Sequence, residues 1–413
     1  MAAEVIVVGA GAAGLLAAGF ASRRGLQVKV LEKTERTGLK VRISGKGRCN
    51  LTNARPLEEL PAFYGANGRF LYSSLHRFSN YDVMDFFRSL GVGLKVEEGQ
   101  RVFPRSDRAD DVADALEAFA RSGGARFLFG RRVTELVVED GAVRGVACMG
   151  PSGREKYHGE AVLIATGGMS YPGTGSTGDG YALAQQAGHR IVPPRPALVP
   201  LRVVEEWPRR LAGLALQDVE LRFWHRAQSV SQRGEMMFAH FGLTGPAVLT
   251  ASDRVSQWFQ AGAVAVQGAL DLAPALTENQ LEGVLVAEFT QLSRRQLKNS
   301  LDKLLPKRLI PVIIELSGIS PEKPVNQLSR EERLRLRCLL KRVPLTVSGT
   351  LPISAAIVTA GGVDVREVNP RTMESRLVKG LYFAGEVLDV HGLTGGFNLQ
   401  AAFSTAYTAA HAF

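Results

Sequence analysis

The sequence predicts an α/β protein: a doubly wound parallel sheet built from both ends of the chain, interrupted by an inserted mixed β and helical region. Three observations carry this. Residues 5–33 spell strand, glycine turn, helix and second strand. Residues 380–413 spell strand, acid, glycine-rich loop and helix. Between about 190 and 345 the pattern changes to alternating strands and then to helices. The expected division is 1–190 with 346–413 as the sheet domain, 191–275 as a β-rich insert and 276–345 as a basic helical insert. A chain of 413 residues is long enough for two or three such cores.

The N-terminal stretch "VIVVGAGAAGLLAAGFAS", residues 5–22, carries no charge. It lacks the Lys/Arg flank of a signal peptide and the Leu/Phe content of a membrane span. It reads instead as the opening of a βαβ unit, and a cytoplasmic protein without membrane attachment is expected. Val5–Val8 is a β-branched run suited to a strand buried on both faces. Gly9, Gly11 and Gly14 then give the GxGxxG spacing, with Ala12 and Ala13 between them. The first glycine allows the turn, the second lets backbone approach a pyrophosphate, and the third lets helix and strand pack closely. The helix start turns unpaired N–H groups toward the phosphates. A second strand, Val28–Leu31, runs into Glu32 and Lys33. A carboxylate there accepts from an adenosine ribose diol. This ordered set defines a Rossmann-type dinucleotide site.

The next feature is "ISGKGRCNLTN", residues 43–53, too polar and glycine-broken for a core element and too ordered for a linker. Gly45 and Gly47 permit close backbone approach, while Ser44 and Asn50 offer hydrogen bonds. Arg48 supplies a fixed cation, and Lys40, Arg42 and Lys46 add positive field for a pyrophosphate or an anionic substrate. Cys49 has two readings: a thiol that protonates substrate, or a small packing residue. The three cysteines, Cys49, Cys148 and Cys338, are far apart and have no metal-ligand spacing, so a reducing compartment, no disulfide framework and no metal are expected.

Residues 131–148 alternate like a hairpin turning at Asp140-Gly141, with Val133 placed to flank an adenine. A buried strand, Val162–Ala165, runs into Thr166-Gly167-Gly168. "PGTGSTGDG" at 172–180 lacks the GKS/T of an Mg-nucleotide loop. At the far end, strand Leu381–Ala384 meets Gly385-Glu386, and a helix opens near Gly396, Phe397 and Asn398. Glu386 suits ribityl hydroxyls, and the backbone N–H groups around Gly396–Asn398 suit the N1/O2 edge of a flavin. NAD-only dehydrogenases have no need of such an ending, so FAD is the expected resident cofactor.

Residues 198–273 read as strands, and "GEMMFAHFGLTGPAVL" within them holds His240, either an acid or carbonyl-binding group or a structural histidine. Thr277 and Ser329 read as helix starts, and "LPKRLIPVIIELSG" as a shorter helical piece broken by Pro306 and Pro311. The net charge of +10 is uneven: residues 293–342 carry thirteen Lys/Arg against five Asp/Glu. Arg294, Arg295, Lys298, Lys307 and Arg308 are the candidate nucleic-acid contacts. The bland alternative is the solvated face of amphipathic helices.

These motifs resemble, end to end, the BaiN/RdsA-type bacterial NAD(P)/FAD-dependent oxidoreductases. The resemblance rests on GAGAAG (9–14), SGKGRCNLTN (44–53), RVFPRSDRADDV (101–112), ATGGMSYPGTGSTGDGY (165–181), PALVPL (196–201), GEMMFAHFGLTGPAVL (234–249), VTAGGV (358–363), TMES (372–375) and GLYFAGEVLDVHGLTGGFNLQAAF (380–403). Lys46, His391 and the last helix, which lacks the usual SG..AG ending, depart from the family pattern. The resemblance implies that the 44–53 segment lies against the flavin and that NAD(P)H feeds electrons to FAD for reduction of an electron-poor C=C. It implies two substrates: uridine in ribosomal RNA, reduced to dihydrouridine, or a small enone such as a bile-acid intermediate. A flavin-binding redox sensor without turnover is the reading from another class.

Overall fold

Val5–Val8 are buried, and Glu4–Val8 forms the middle strand of a five-stranded parallel sheet. The computed structural model describes residues 4–413. The sheet order is Leu381–Phe383, Ala161–Ile164, Glu4–Val8, Gln27–Glu32, Arg126–Phe129. Both chain ends therefore enter one sheet: Val5–Val8 pair with Ala161–Ile164, and Val162–Ile164 pair in turn with Leu381–Phe383. Strands buried on both faces need the continuous apolar runs these segments have. Helices Ala12–Arg23 and Phe397–Ala410 pack on each other, and Ala109–Ser122 packs on the first of them. Small residues at Ala13, Gly14, Ala17 and Ala21 keep the first helix close to its neighbours.

Two small sheets complete this unit. The hairpin forms as Arg132–Glu139 and Ala142–Gly150 around the Asp140-Gly141 turn, extended by Gly153–His158. Thr52–Asn53, Arg101–Pro104 and Leu94–Glu97 form the other, bringing the end of the 43–53 segment against the RVFP stretch. The chain leaves the unit after Ile191–Ala197 and returns with Val358–Val363, and these two strands pair. The compact units accordingly are the chain up to Pro196 with Ala356–Phe413, and Ala197–Ala355.

The second unit is one body where the sequence pattern read as a β-rich segment followed by a helical one. Six antiparallel strands close a barrel in the order Leu201–Val203, Gly242–Thr244, Gln228–Ala239, Ala215–His225, Val266–Asp271, Val343–Thr350. The closing strand lies beyond the helices, which are thus inserted into the barrel sequence and share its core. Leu281, Leu285, Leu336 and Leu340 belong to the same apolar cluster as Leu221, Phe223 and Leu345. A helix, Pro246–Gln260, also interrupts the stretch read as strands. Its buried Ala247, Val248, Ala251 and Val255 have helical spacing, opened by Gly245 and Pro246. Pro311 does not break a helix but sits in the first turn of Ile310–Ser317, where a missing N–H costs nothing. Among the described residues no helix is long and apolar enough to cross a membrane.

Thr277 and Ser329 each close a capping box, with Gln280 and Glu332 respectively. Ser329→Ala should remove about 1 kcal/mol of stability. A thermal melt should move by about 2–4 °C for a unit of this size; an unchanged midpoint would show that the cap carries no weight.

Candidate nucleotide and flavin site

Gly9 has φ 101°, and a Cβ there would lie 2.7 Å from the Ala165 carbonyl oxygen, so the turn leaves no room for a side chain. Gly14 packs so tightly that a Cβ would collide with the Gly9 oxygen. Gly11 is different. Its φ of −81° suits any residue, and a Cβ would meet nothing within 4 Å. It faces open space at the start of helix Ala12–Arg23, where the first N–H groups lack intrahelical partners. The close-packing glycines are required by the fold, whereas no neighbour within the protein requires Gly11 to lack a side chain.

Beside it, Glu32 accepts from the Ala10 N–H (2.7 Å) on one oxygen and from the Thr34 N–H and hydroxyl (2.8 and 2.9 Å) on the other. These bonds orient the carboxylate and leave Oε2 capacity for a ribose hydroxyl. The hairpin that carries buried Val133 enters through a bond from the Arg131 N–H to the Glu32 carbonyl (3.0 Å). Lys33 points elsewhere, to Asp179 (2.8 Å), which also takes a bidentate pair from Arg132. Thr166 presents a buried hydroxyl with no hydrogen-bond partner. Gly167 is left-handed at φ 71°, and a Cβ on Gly168 would press on the Thr359 hydroxyl at 2.5 Å.

The C-terminal half converges on the same sheet edge. Gly385 sits between helices, with a Cβ position 3.1 Å from Ala13 Cβ and 3.6 Å from Ala402 Cβ. The Glu386 carboxylate takes Lys40 (2.5 Å) on one oxygen, and Ser170 (3.0 Å) and the Thr359 N–H (2.8 Å) on the other. Sequence motifs marked Glu386 and Lys40 separately; their pairing, and the parts of Ser170 and Thr359, come from the structure. The signal for the last two lay in ATGGMS and VTAGGV.

Gly396, at φ 97°, caps helix Phe397–Ala410 in a place where a Cβ would strike the Thr52 carbonyl. With its amide oriented to satisfy its neighbours, Asn50 accepts from the Gly396 N–H (3.0 Å) and donates to the Thr52 and Val102 carbonyls (3.0 and 3.1 Å). Asn398 bonds back to Gly392, accepting at 2.8 Å and donating at 2.9 Å, which holds the glycine loop. Phe397 is core: it stacks on Phe63 at 4.3 Å and its carbonyl accepts from the Tyr64 hydroxyl (2.8 Å). The N–H groups of Phe397 and Asn398 precede the first intrahelical bond, from Gln400 to Gly396, and carry the positive end of the helix dipole.

The segment expected against the flavin is thus packed on this helix start. Its tip is an unusual run: Gly45, Lys46 and Gly47 have φ of 57°, 59° and 82°, and Cys49 has 59°. Of the four cations in it and just before it, three are committed to carboxylates. Lys40 meets Glu386, Arg42 meets Asp110 and Asp114 (2.5 and 2.6 Å), and Arg48 meets Glu97 and Asp107 (2.7 Å to the latter) while lying 4.3 Å over the Phe103 ring. Arg48 holds Glu97, and Lys95 holds Asp107, below the usual carboxylate range. Ser44 donates to the Val41 carbonyl (2.7 Å). Cys49 has no exposed surface, and burial pushes its thiol up to about 12. It is a protonated core thiol, and of its two roles packing is the one its surroundings support. Two polar groups were not singled out from sequence: Tyr181, whose buried hydroxyl lacks a partner, and Asp389, which burial pushes above the usual carboxylate range while Asn67 donates to it at 3.0 Å.

In the other unit, His240 is exposed at the turn after Gln228–Ala239, edge-on to Phe241 at 4.9 Å. Arg294, Arg295, Lys298, Lys307 and Arg308 are all exposed. Lys298 faces Glu322 at 3.6 Å, and Arg308 donates to the carbonyls of Arg210 and Ala212 (3.3 and 3.1 Å). Four of these five make no ion pair among the described residues. Much of the remaining charge is balanced: Arg333 meets Glu282 (2.6 Å), Arg337 and Arg342 meet Glu278, Lys303 meets Glu288, Lys323 meets Glu332 and Lys341 meets Asp271.

The space at Gly11, the spare capacity of Glu32 and two helix starts at one sheet edge fit a dinucleotide with a charged middle and an electron-accepting ring. Comparison with known proteins agrees. A family model described as the HI0933-like protein Rossmann domain matches residues 3–412. A 3-dehydro-bile acid delta(4,6)-reductase from Clostridium scindens is 32% identical over 408 residues, covering 98% of each chain. A ribosomal RNA dihydrouridine synthase from Haemophilus influenzae is 34% identical over 412 residues, covering 98% of this chain and 97% of its own. Among solved structures, 3-ketosteroid delta1-dehydrogenase from Sterolibacterium denitrificans shares the fold at TM-score 0.56 and 14% identity, over 99% of both chains.

Gly11→Val should fold normally yet purify without bound flavin, while Gly14→Val should fail to fold; absorbance near 450 nm and circular dichroism separate the two. A Gly11→Val protein that keeps its yellow colour would remove the pyrophosphate from this turn. Thiol labelling of the native protein at pH 8 should modify Cys338 first and leave Cys49 and Cys148 untouched until unfolding, because burial raises both buried thiols and keeps them protonated. Rapid native labelling of Cys49, read by peptide mass spectrometry, would contradict its packing role.

Proposed function

This chain belongs to the HI0933-like family of FAD-dependent oxidoreductases, and on that premise we propose that it reduces C5=C6 of uridine in ribosomal RNA, drawing electrons from NAD(P)H. The two curated relatives match equally over their whole lengths, so similarity alone does not choose between RNA and a bile-acid-like enone. The observation that favours RNA is the set of exposed cations without carboxylate partners, Arg294, Arg295, Lys307 and Arg308. A small substrate gives no reason to leave them unbalanced. A phosphate backbone does, since each neutralised phosphate releases a counterion.

FAD, when bound, supplies hydride transfer to an electron-poor carbon. The protein's part is binding, orientation and charge. The Ala12 helix start and the space over Gly11 receive the pyrophosphate, Glu32 the adenosine ribose, and Val133 the adenine. Thr166, Gly167 and Gly168 line the same edge. Glu386, oriented by Lys40 and Ser170, takes ribityl hydroxyls. The N–H groups of Phe397 and Asn398 stabilise negative charge at the ring's polar edge. Arg48 is a positioning residue, clamping the 44–53 segment to the strand beside it through Glu97, Asp107 and Phe103. The compartment that fits this reading is the cytoplasm, where ribosomal RNA is made and modified.

Mass-spectrometric mapping should find one or more ribosomal dihydrouridines present in cells with this protein and absent without it. Four phosphate contacts predict a log–log salt slope near −3, hence about 50-fold weaker RNA binding between 50 and 200 mM salt. Reversing charge at Arg294, Arg295, Lys307 and Arg308 should flatten that slope and leave the flavin spectrum alone. Reduction of a neutral enone would instead be insensitive to salt, and a redox sensor would consume no NAD(P)H with any substrate. An unchanged dihydrouridine map would end the RNA reading.

A further inference from the structure

We propose that the outer face of the barrel around Trp224 is a stacking surface for an unpaired base of an RNA strand. This rests on the RNA reading above and adds to it a place and a mode of contact. The unpaired cations Arg294, Arg295, Lys307 and Arg308, which sit in turns between the helices, supply charge but no aromatic ring. The barrel supplies one.

Strand Ala215–His225 alternates, with Leu221 and Phe223 buried in the barrel and Arg222 and Trp224 outward. Trp224 is 38% exposed, and among the described residues it touches no other ring and makes no side-chain hydrogen bond. Its cross-strand neighbours are Ser229 on one side and Gln267 on the other, too small or too polar to cover an indole. The chain treats its two other tryptophans differently. Trp207 is buried edge-on to Phe238, and Trp258 is buried with its indole N–H donating to Gln228 at 2.7 Å. Leaving one tryptophan partly exposed is therefore specific to this face.

The charges next to it along the chain are cationic. Arg222 lies two residues back on the same face, and Arg226 stands in the adjoining turn at φ 53°. Both are exposed, and neither has a carboxylate partner among the described residues. Of the acids farther along the strand, Asp218 is paired with Arg233 (2.7 and 2.8 Å), while Glu220, four residues from Trp224, accepts from the Ser231 hydroxyl and keeps its charge. A flat ring flanked by two free guanidiniums complements a base and its phosphates. A protein hot spot needs its aromatic anchor ringed by side chains that exclude water; serine and glutamine beside Trp224 provide no such ring. The base must be unpaired, because in a duplex its faces are already stacked.

The test uses the FAD-loaded full-length protein with a 12-nucleotide uridine-rich single-stranded RNA and a duplex of equal length. With Trp207 and Trp258 buried, quenching of tryptophan fluorescence reports chiefly on Trp224. The single strand should quench it, and the duplex should do so far less. Trp224→Ala should weaken single-strand binding about 5- to 100-fold, and Trp224→Phe, which keeps a ring, less than fivefold. Arg222→Gln with Arg226→Gln should flatten the salt slope by about 1.4. Flavin absorbance and thermal midpoint should stay unchanged in each. Single-strand binding by Trp224→Ala at wild-type affinity overturns the proposal and leaves the RNA reading standing, as a face for a protein partner would require. Equal losses in Trp224→Ala and Trp224→Phe, or a loss matched by a fallen midpoint, overturn it as well. A wild-type protein that binds neither RNA brings down the RNA reading itself.

Discussion

Ala161–Ile164 is the strand on which the nucleotide site depends, because its two edges are hydrogen-bonded by the two ends of the chain. The N-terminal strand delivers the helix that begins at Ala12, and the C-terminal strand delivers the Gly385–Gly396 loop and the helix that begins at Phe397. Parallel pairing puts both deliveries at the same edge of the sheet. The cost of this closeness is visible in side-chain size. Gly14 has no room for a methyl group, and Gly385 lies in contact distance of Ala13 and Ala402. A single methylene added at such a point would separate the helices and move two sets of free N–H groups apart. Packing here is therefore a condition of binding, and not only of stability.

The electrostatics follow from that geometry. A reading by charge alone makes Lys40, Arg42 and Arg48 the attractors of an anionic cofactor. In the fold each is spent on a carboxylate that fixes its position, and the Arg42 pair even ties the segment to helix Ala109–Ser122. Apart from the exposed Lys46, what remains to meet a pyrophosphate or an electron-rich ring edge is backbone: the N–H groups at the two helix starts, fixed in place by the sheet. Such dipoles need no side-chain ordering when ligand arrives, which makes them better suited to a resident cofactor than mobile lysines would be. The side-chain ion pairs work one step back, holding the backbone that does the binding.

What the sequence reveals tracks how local the cause is. The glycine turn, Glu32, the Asp140-Gly141 hairpin and the capping residues Thr277 and Ser329 are each set by neighbours a few positions away, and each is readable. The barrel is not. Its closure pairs Leu201–Val203 with Val343–Thr350, partners 144 to 149 positions apart, and no periodicity within either strand announces the other. Helix Pro246–Gln260 hid in a stretch whose flanking strands set the expectation. For the site, motifs identified Glu386 and Lys40 but not their bond across 346 positions, nor the Asn50 amide that joins the 43–53 segment to Gly396. Cys49 shows the converse. Its motif leaves chemistry and packing both open, and the burial that favours packing is a property of the assembled core.

The same distinction between local count and folded environment governs the basic unit. Thirteen cations lie between residues 293 and 342, but helix Glu278–Gln291, just upstream, contributes Glu278, Glu282 and Glu288 as partners for four of them. Seven of the thirteen face a carboxylate, leaving Arg294, Arg295, Lys307, Arg308, Arg330 and Arg335 without one among the described residues. An exposed ion pair contributes little to stability, yet it removes a cation from the set free to displace counterions from a phosphate chain. The effective charge offered to a polyanion is thus closer to the unpaired subset than to the composition. That subset is large enough for affinity but blind to sequence, since phosphate contacts position a nucleic acid without reading it. Stacking on the partly exposed indole of Trp224 adds contact with bases but is equally tolerant of their identity, so on the reading proposed above it selects unpaired strands over duplex and not one sequence over another.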